Sequence, residues 1–283
     1  MGIAGRLFRF FVFSNLFIAT CAVLMAWQTM FLFALVTDYN LLGFIFFATI
    51  CSYSFHWMLS TDLGSPGKRS DWMLTNGALH RWFFLTGAAG SVVFGYKLAS
   101  HWGWLVSIAF ITFLYSAPKI PHPLSRHLRK IAIGKTLFLS IVWTIVTTLL
   151  PLVIGRDAWN TQAIIFLVNR FFLIYAICIL FDLRDLEYDR RVGIKSLITW
   201  LSASQVRALF YLSILLHIIS GVLLLAFGQS ILSVAILLVS GFFTAALYRK
   251  AITDFSDFLY YFVLDGLMAL SAGIFFILHL TSP

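Results

Sequence analysis

Three aspartates follow one another at helical spacing at the end of an apolar stretch: Asp182, Asp185 and Asp189. If that stretch continues as a helix, they stand at i, i+3 and i+7 and fall within roughly 60° of one another around its axis. Such a row of carboxylates at a membrane–water boundary would repel itself, so we expect a cation there. Hard oxygen donors suit Mg²⁺, which commonly bridges carboxylates to substrate phosphates. The alternative is a solvated helix end, with the aspartates paired to arginines of the same segment.

The composition is that of a chain built mainly of membrane-spanning elements. Of its 283 residues, 61% are hydrophobic and 11% are charged, and the mean hydropathy is +0.94. A soluble domain would carry about 25% charged residues. The formal net charge of +9 is explained by Lys and Arg in membrane-flanking loops, and no basic patch with interleaved aromatics points to nucleic acid. The cysteines have neither metal-ligand nor disulfide spacing and are expected in the core; they are Cys21, Cys51 and Cys178.

The elements that must position the aspartates are apolar runs long enough to cross a bilayer. The sequence predicts an all-α, polytopic membrane helix bundle of about nine transmembrane helices around a central cavity, forming a single domain over residues 1–283. The predicted spans are 10–36, 41–61, 82–99, 102–118, 136–154, 159–181, 206–226, 229–248 and 257–280.

The basic residues predict the orientation of this bundle. Seventeen of the 20 Lys and Arg fall at the N-terminus or in alternate loops, whereas the opposite loops hold only Lys97 and Arg156. Because basic residues collect on the cytoplasmic side, the N-terminus is expected in the cytoplasm and the C-terminus outside. The long cytoplasmic loops are expected near 62–81, 119–135 and 182–205. We expect an integral membrane protein, with a bacterial inner membrane as its location.

The run DLRDLEYDRRVGIKSL resembles the second aspartate-rich motif of the UbiA superfamily of intramembrane prenyltransferases. In that motif Asp-x-x-Asp-x-x-x-Asp precedes Gly, a basic residue and Thr or Ser. The corresponding positions here are Asp182, Asp185, Asp189, Gly193, Lys195 and Ser196. The run YSAPKIPHPLSRHLRKIAIGK is similar to the basic loop after the fourth helix of that family, with Tyr115 and Lys119 in matching places.

The resemblance implies a chemistry. In this family, Mg²⁺ held by aspartates binds the diphosphate of an isoprenyl donor, and a lipophilic, possibly aromatic, acceptor attacks the allylic carbon as the diphosphate leaves. By resemblance, the three aspartates are expected to be metal ligands and, together with Lys195, catalytic residues. Basic side chains are expected to contact the diphosphate, and these are Lys195, Lys119 and Lys68 or Arg69. Tyr115 is expected to bind substrate beside Lys119.

The chain departs from the family where a first acidic motif should follow the second helix. The nearest positions are Ser52, His56 and Ser60, none of which is acidic, and Asp62 and Asp71 are the carboxylates nearby. Three interpretations stay open. One of these two carboxylates replaces the missing metal ligands; or Lys68, Arg69 or His56 binds the phosphate directly, which leaves one metal site on the second motif; or the diphosphate chemistry has been lost. His56 is either a phosphate ligand or acid/base group, or a hydrogen-bonded core residue.

Two charges fall inside predicted spans, where charges are costly and usually face a cavity or a partner. Arg170 lies twelve residues before Asp182, or about 18 Å along a helix. Asp265 lies in the last span. Either the two pair with each other as a structural contact, or they line the substrate cavity with Asn169 and orient an acceptor.

These features predict a Mg²⁺-dependent membrane prenyltransferase that moves an isoprenyl group from its diphosphate to a lipophilic acceptor. A second possibility keeps the scaffold but changes the reaction, to terpene cyclisation or another prenyl-phosphate group transfer. A third is a non-catalytic lipid-binding or transport protein. The sequence leaves the acceptor, the prenyl chain length and the oligomeric state open.

Overall fold

The computed structural model describes residues 2–59, 68–116, 135–155, 160–191 and 196–281. Within these residues the chain is about 90% helical and has no strand, which confirms the predicted all-α class. The first six helices are α1 Ile3–Phe13, α2 Leu16–Leu32, α3 Tyr39–Met58, α4 Lys68–Thr75, α5 Gly77–Lys97 and α6 Trp102–Ser116. The others are α7 Lys135–Thr144, α8 Leu150–Gly155, α9 Thr161–Arg191, α10 Leu197–Trp200, α11 Ala203–Leu223, α12 Ile231–Ala251 and α13 Asp265–Thr281.

Six helical segments of the described chain are long and apolar enough to cross a membrane, and two bent helix pairs raise the number to eight. The six are Tyr39–Met58, Thr136–Gly155, Thr161–Glu187, Ala203–Phe227, Ile231–Ala251 and Leu259–Thr281. This is the pattern of an integral membrane protein. The predicted count of nine is not confirmed, and the central cavity and the orientation of the termini stay predictions.

The count differs because three of the nine predicted spans fall in the two bent helix pairs. The expected first span, 10–36, corresponds to α1 and α2, which meet at 62°, and the expected spans 82–99 and 102–118 correspond to α5 and α6, which meet at 91°. The first bend falls at Asn15, whose φ of 69° is left-handed. Asn tolerates that conformation better than other non-glycine residues, so it can end one helix and begin the next.

Helix α9 is the central element. Eight consecutive residues of this helix, 173–180, are all buried, so protein covers every face of it. It packs against α7, α11, α12 and α13. The helix then continues beyond its apolar part to Arg191, as the aspartate spacing predicts. The three cysteines form no disulfide; Cys21 and Cys178 are buried and Cys51 is half-buried.

Two of the predicted loops are partly helical. In the 62–81 segment, α4 begins at Lys68 and α5 already at Gly77, and in the 182–205 segment α9 runs to Arg191. Of the predicted 119–135 loop, only Lys135 lies within the described residues. These segments connect predicted spans, and their helical parts are packed elements that can position side chains.

Two π-helical turns interrupt the spans, at Ile145–Leu149 and Leu259–Leu264. A π-turn releases backbone groups from the regular ladder and is often found at functional sites. In the first, the Thr29 hydroxyl of α2 donates to the Thr147 carbonyl at 2.7 Å. The second leads directly into α13, which begins at Asp265, so it sets the position of an acidic group inside the bundle.

Candidate functional site

The three aspartates lie on the last turns of α9, but in different surroundings. Asp182 and Asp189 are only 4% and 2% exposed, whereas the side chain of Asp185 is 26% exposed. Asp182 accepts a hydrogen bond from the Thr136 hydroxyl of α7. Asp185 forms an ion pair with Arg184 at 3.0 Å. A solvated helix end thus fits Asp185, whereas Asp182 and Asp189 are buried and not solvated.

The fit of these carboxylates to Mg²⁺ depends on where the other ligands come from. Among the described residues, no three His, Cys, Asp or Glu side chains form a group that could hold a metal ion. Mg²⁺, however, is usually bound by one or two carboxylates, with waters and substrate phosphates completing its shell. The buried oxygens of Asp182 and Asp189 fit that pattern, and they do not fit a fully protein-coordinated ion.

Arg69 occupies the side where the first acidic motif is missing. It belongs to α4, is 4% exposed, and its Nη2 donates to Asn15 Oδ1 at 2.8 Å. Its guanidinium lies over the rings of Tyr261 at 4.0 Å and Trp57 at 4.7 Å. The backbone N–H of Arg69 donates to Asp257 at 2.8 Å, so both the main chain and the side chain of α4 are tied to the bundle.

A second guanidinium stands across the same ring. The Arg184 guanidinium lies 4.7 Å from the ring centres of both Tyr260 and Tyr261. Burial lowers the pKa of Arg69, with Arg184 acting in the same direction and Tyr261 and Asp265 opposing it. Tyr261 thus contacts both the cation of α4 and Arg184 at the acidic end of α9.

Asp265 is half-buried and interacts electrostatically with Arg69 and Arg184. The hypothesis that it pairs with Arg170 is wrong, because Arg170 has other partners. Arg170 donates to Gln28 Oε1 at 2.7 Å and to the Met25 carbonyl at 3.3 Å. Asp265 therefore belongs with the polar cluster at the end of α9, and Arg170 belongs to a separate network deeper in the bundle.

Asn169 also has a protein partner. Its Nδ2 donates to the His217 carbonyl at 2.7 Å, and the His217 ring meets the Asn169 carbonyl at 3.0 Å. These contacts join α9 to α11, as the Arg170–Gln28 contact joins α9 to α2. Substrate binding by Asn169 and Arg170 stays a prediction, and the contacts observed are interhelical.

The other predicted site residues differ in their exposure and in how much of each residue the structure describes. His56 is half-buried in the last turn of α3. Asp71 is exposed in the first turn of α4 and belongs to no metal-binding group among the described residues. Only the helical backbone is described for Lys68 and Tyr115, in α4 and α6. Three predicted residues lie outside the described residues, namely Asp62, Lys119 and Lys195.

Sequence reasoning missed Arg184 and Tyr261 as members of the site. Arg184 lies inside the acidic motif, where it reads as a solvated charge. Tyr261 stands four residues before Asp265, and this spacing next to an intramembrane acid was the available signal.

The cluster at the end of α9 thus brings together residues from the bend between α1 and α2, from α4, from α9 and from the π-turn before α13. Comparison with protein-family models, with curated proteins and with solved structures finds no match to this chain.

Proposed function

We propose that this chain is a Mg²⁺-dependent membrane prenyltransferase of the UbiA type. It would transfer an isoprenyl group from a prenyl diphosphate to a lipophilic acceptor in a bacterial inner membrane. The observation that carries the proposal is the juxtaposition at the end of α9. Two buried carboxylates, Asp182 and Asp189, lie on the same helix end as Arg184, which shares the ring of Tyr261 with Arg69.

Both the carboxylates and the guanidinium groups of this arrangement suit a diphosphate leaving group. Bound Mg²⁺ would neutralise the charge that grows on the diphosphate as the allylic carbon–oxygen bond breaks. Asp182 and Asp189, with Asp185 beside them, are the residues that would hold it. Arg guanidinium groups present a rigid fork of donors that matches phosphate oxygens, and Arg69 and Arg184 offer two of them.

The surroundings hold these groups in place. The aromatic faces of Trp57 and Tyr261 restrict the guanidinium of Arg69 in a stack, and cation–π contacts of this kind contribute about 0.5–2 kcal/mol each. Thr136 fixes one oxygen of Asp182. Prepositioned charges need little reorganisation when the leaving group develops its charge, so the rigidity of the cluster supports a catalytic role.

The test is turnover by the purified full-length protein in lipid nanodiscs. Prenyl diphosphates of several chain lengths are supplied with an acceptor-containing lipid extract, with Mg²⁺ or with chelator, and products are identified by mass spectrometry. We expect a joined acceptor–prenyl product that requires Mg²⁺. Asp182→Asn and Asp189→Asn should each lower the rate at least about 100-fold, because each removes a charge that the metal requires.

Glu187→Gln is the matched control, because Glu187 is exposed on the same helix end. It should leave the rate within about twofold of the unchanged protein. Equal rates for Asp182→Asn and Glu187→Gln would contradict the metal-ligand assignment.

The presence of Arg69 where acids are expected favours a second candidate, the same site with a changed reaction. A cyclised hydrocarbon or a new head group, in place of a joined product, would identify terpene cyclisation or another prenyl-phosphate group transfer. Metal-independent exchange of prenyl lipids between vesicles, with no product, would point to a lipid-binding or transport protein.

A further inference from the structure

Several buried polar atoms without a hydrogen-bond partner lie where α4 meets α1, α2 and α5. Within the described residues, Ser14 Oγ, Arg69 Nε and both ring nitrogens of His80 have no partner. These residues are 0%, 4% and 4% exposed, respectively. A buried donor or acceptor that lacks a partner destabilises the folded protein. So many at one junction indicates that a ligand or ordered water satisfies them.

The three residues belong to one neighbourhood. Ser14 precedes Asn15, whose side chain accepts from Arg69. The His80 ring meets the edge of Trp72 at 5.4 Å, and Trp72 meets Phe13 at 5.9 Å. Arg69 also acts electrostatically on His80. Trp72 therefore joins the first turn of α5 to the bend between α1 and α2, and Arg69 lies on the same short helix as Trp72.

The unused atoms are mainly hydrogen-bond donors. The Arg69 Nε–H can only donate, the neutral His80 ring donates through one nitrogen, and the Ser14 hydroxyl can donate or accept. The Nη2 of Arg69 is already committed to Asn15. The second His80 nitrogen accepts. A singly protonated phosphate group satisfies this set best, because it offers several acceptor oxygens and one P–OH donor.

We propose that Ser14, Arg69 and His80 form a metal-independent subsite for the terminal phosphate of a diphosphate. The inference rests on the proposed function, because it assigns the phosphate to the prenyl diphosphate donor. It also supplies a physical reason for the missing acidic motif. A wall of neutral and cationic donors holds phosphate oxygens directly, so this side of the site has no use for carboxylates that hold a second metal.

The experiment measures binding of inorganic pyrophosphate to the purified full-length protein in phosphatidylcholine nanodiscs with EDTA. Isothermal titration calorimetry and ³¹P line broadening give the affinity. We expect the unchanged protein to bind pyrophosphate without metal. His80→Phe keeps the ring against Trp72 but removes both nitrogens, and should weaken binding roughly tenfold.

Ser14→Ala provides a second variant that is safe for folding, because it removes one hydroxyl from a buried position. It should weaken pyrophosphate binding about threefold. His101→Phe is the matched control, because His101 lies in the turn between α5 and α6, and it should bind as the unchanged protein does. The subsite is overturned if the unchanged protein binds no pyrophosphate in EDTA, or if His80→Phe, Ser14→Ala and His101→Phe bind it equally well. Ordered water would then be the partner of the buried polar atoms.

A phospholipid headgroup offers the same phosphate chemistry, so a second arm replaces part of the phosphatidylcholine with phosphatidic acid. If phosphatidic acid binds in a His80-dependent way and pyrophosphate does not, the assignment to a diphosphate is overturned. The two proposals fail separately. His80-dependent pyrophosphate binding stands even if no prenyl product forms, whereas prenyl transfer with His80-independent binding refutes the subsite alone.

Discussion

Gln28 is the side chain that satisfies the buried charge of Arg170, and replacing it tests whether this arginine is structural. Gln28 is fully buried, accepts from Arg170 Nη2 at 2.7 Å and donates to Ser271 Oγ at 3.1 Å. A hydrogen bond to a charged group contributes about 1.5–3 kcal/mol, and an interhelical one in a membrane protein averages about 0.6 kcal/mol. Gln28→Leu should therefore lower the free energy of unfolding by about 3 kcal/mol, or roughly 100-fold in the equilibrium constant.

Arg170→Met should cost much less, although it removes the charge itself. Gln28 Oε1 keeps the Ser271 hydroxyl at 3.5 Å as a donor, and Met fills much of the volume of Arg. Replacing both members of a buried polar pair with apolar groups is often nearly neutral. The double variant Gln28→Leu with Arg170→Met should therefore be more stable than Gln28→Leu alone, by about 1.5 kcal/mol or more.

The assay is unfolding in mixed micelles of mild detergent and SDS, followed by tryptophan fluorescence. The control is Gln229→Leu, because Gln229 is only half-buried and makes one bond to the Leu32 carbonyl; it should cost under about 1 kcal/mol. The structural assignment of Arg170 is refuted if Gln28→Leu lowers the free energy of unfolding no more than Gln229→Leu does. It is also refuted if the double variant is less stable than Gln28→Leu alone.

Two further changes test helix contacts. Gly87→Ala should lower the melting temperature, because an added Cβ would lie 2.7 Å from the Cys51 backbone nitrogen, and such overpacking costs about 1–3 kcal/mol. The control is Gly103→Ala, which should leave the melting temperature unchanged because nothing lies within 4 Å of the added Cβ. Equal melting curves for the two variants would refute the close contact. Thr136→Val should destabilise the protein by about 1 kcal/mol, because it removes a donor to Asp182 while keeping the shape. Thr136→Ser keeps the hydroxyl and should be as stable as the unchanged protein in the same thermal unfolding experiment. Equal stability of the Val and Ser variants would contradict the hydrogen bond from Thr136 to Asp182.

The all-helical class, the apolar helices and the extension of α9 could be predicted because each depends on local sequence. Hydrophobic runs indicate spans wherever they are long enough. The i, i+3, i+7 spacing of Asp182, Asp185 and Asp189 needs only helix geometry to predict a shared face. The different burial of the three could not be predicted, since it depends on which helices pack against α9.

The bend between α1 and α2 could not be predicted from the sequence for a related reason. Residues 10–36 read as one apolar run, but Asn15 adopts a left-handed conformation and divides it into α1 and α2. That choice is stabilised by tertiary contacts, because the Asn15 side chain accepts from Arg69 and donates to Ser54 at 3.4 Å. No window of the sequence around Asn15 contains these partners, which stand 54 and 39 residues away.

Arg69 connects this bend to the departure from the UbiA pattern. In the sequence it lies in a predicted loop between Gly67 and Asp71, where it or Lys68 is expected to contact the diphosphate. In the structure it is buried between Trp57 and Tyr261, with Asp265 and Arg184 in electrostatic range. Burying a guanidinium is costly unless it is paired and hydrogen-bonded, and most of the groups that offset that cost come from distant segments. A carboxylate motif on this wall would form ion pairs with Arg69 and occupy its donors. Under the proposed function, a buried arginine and a second metal site would therefore be alternative ways to hold one diphosphate.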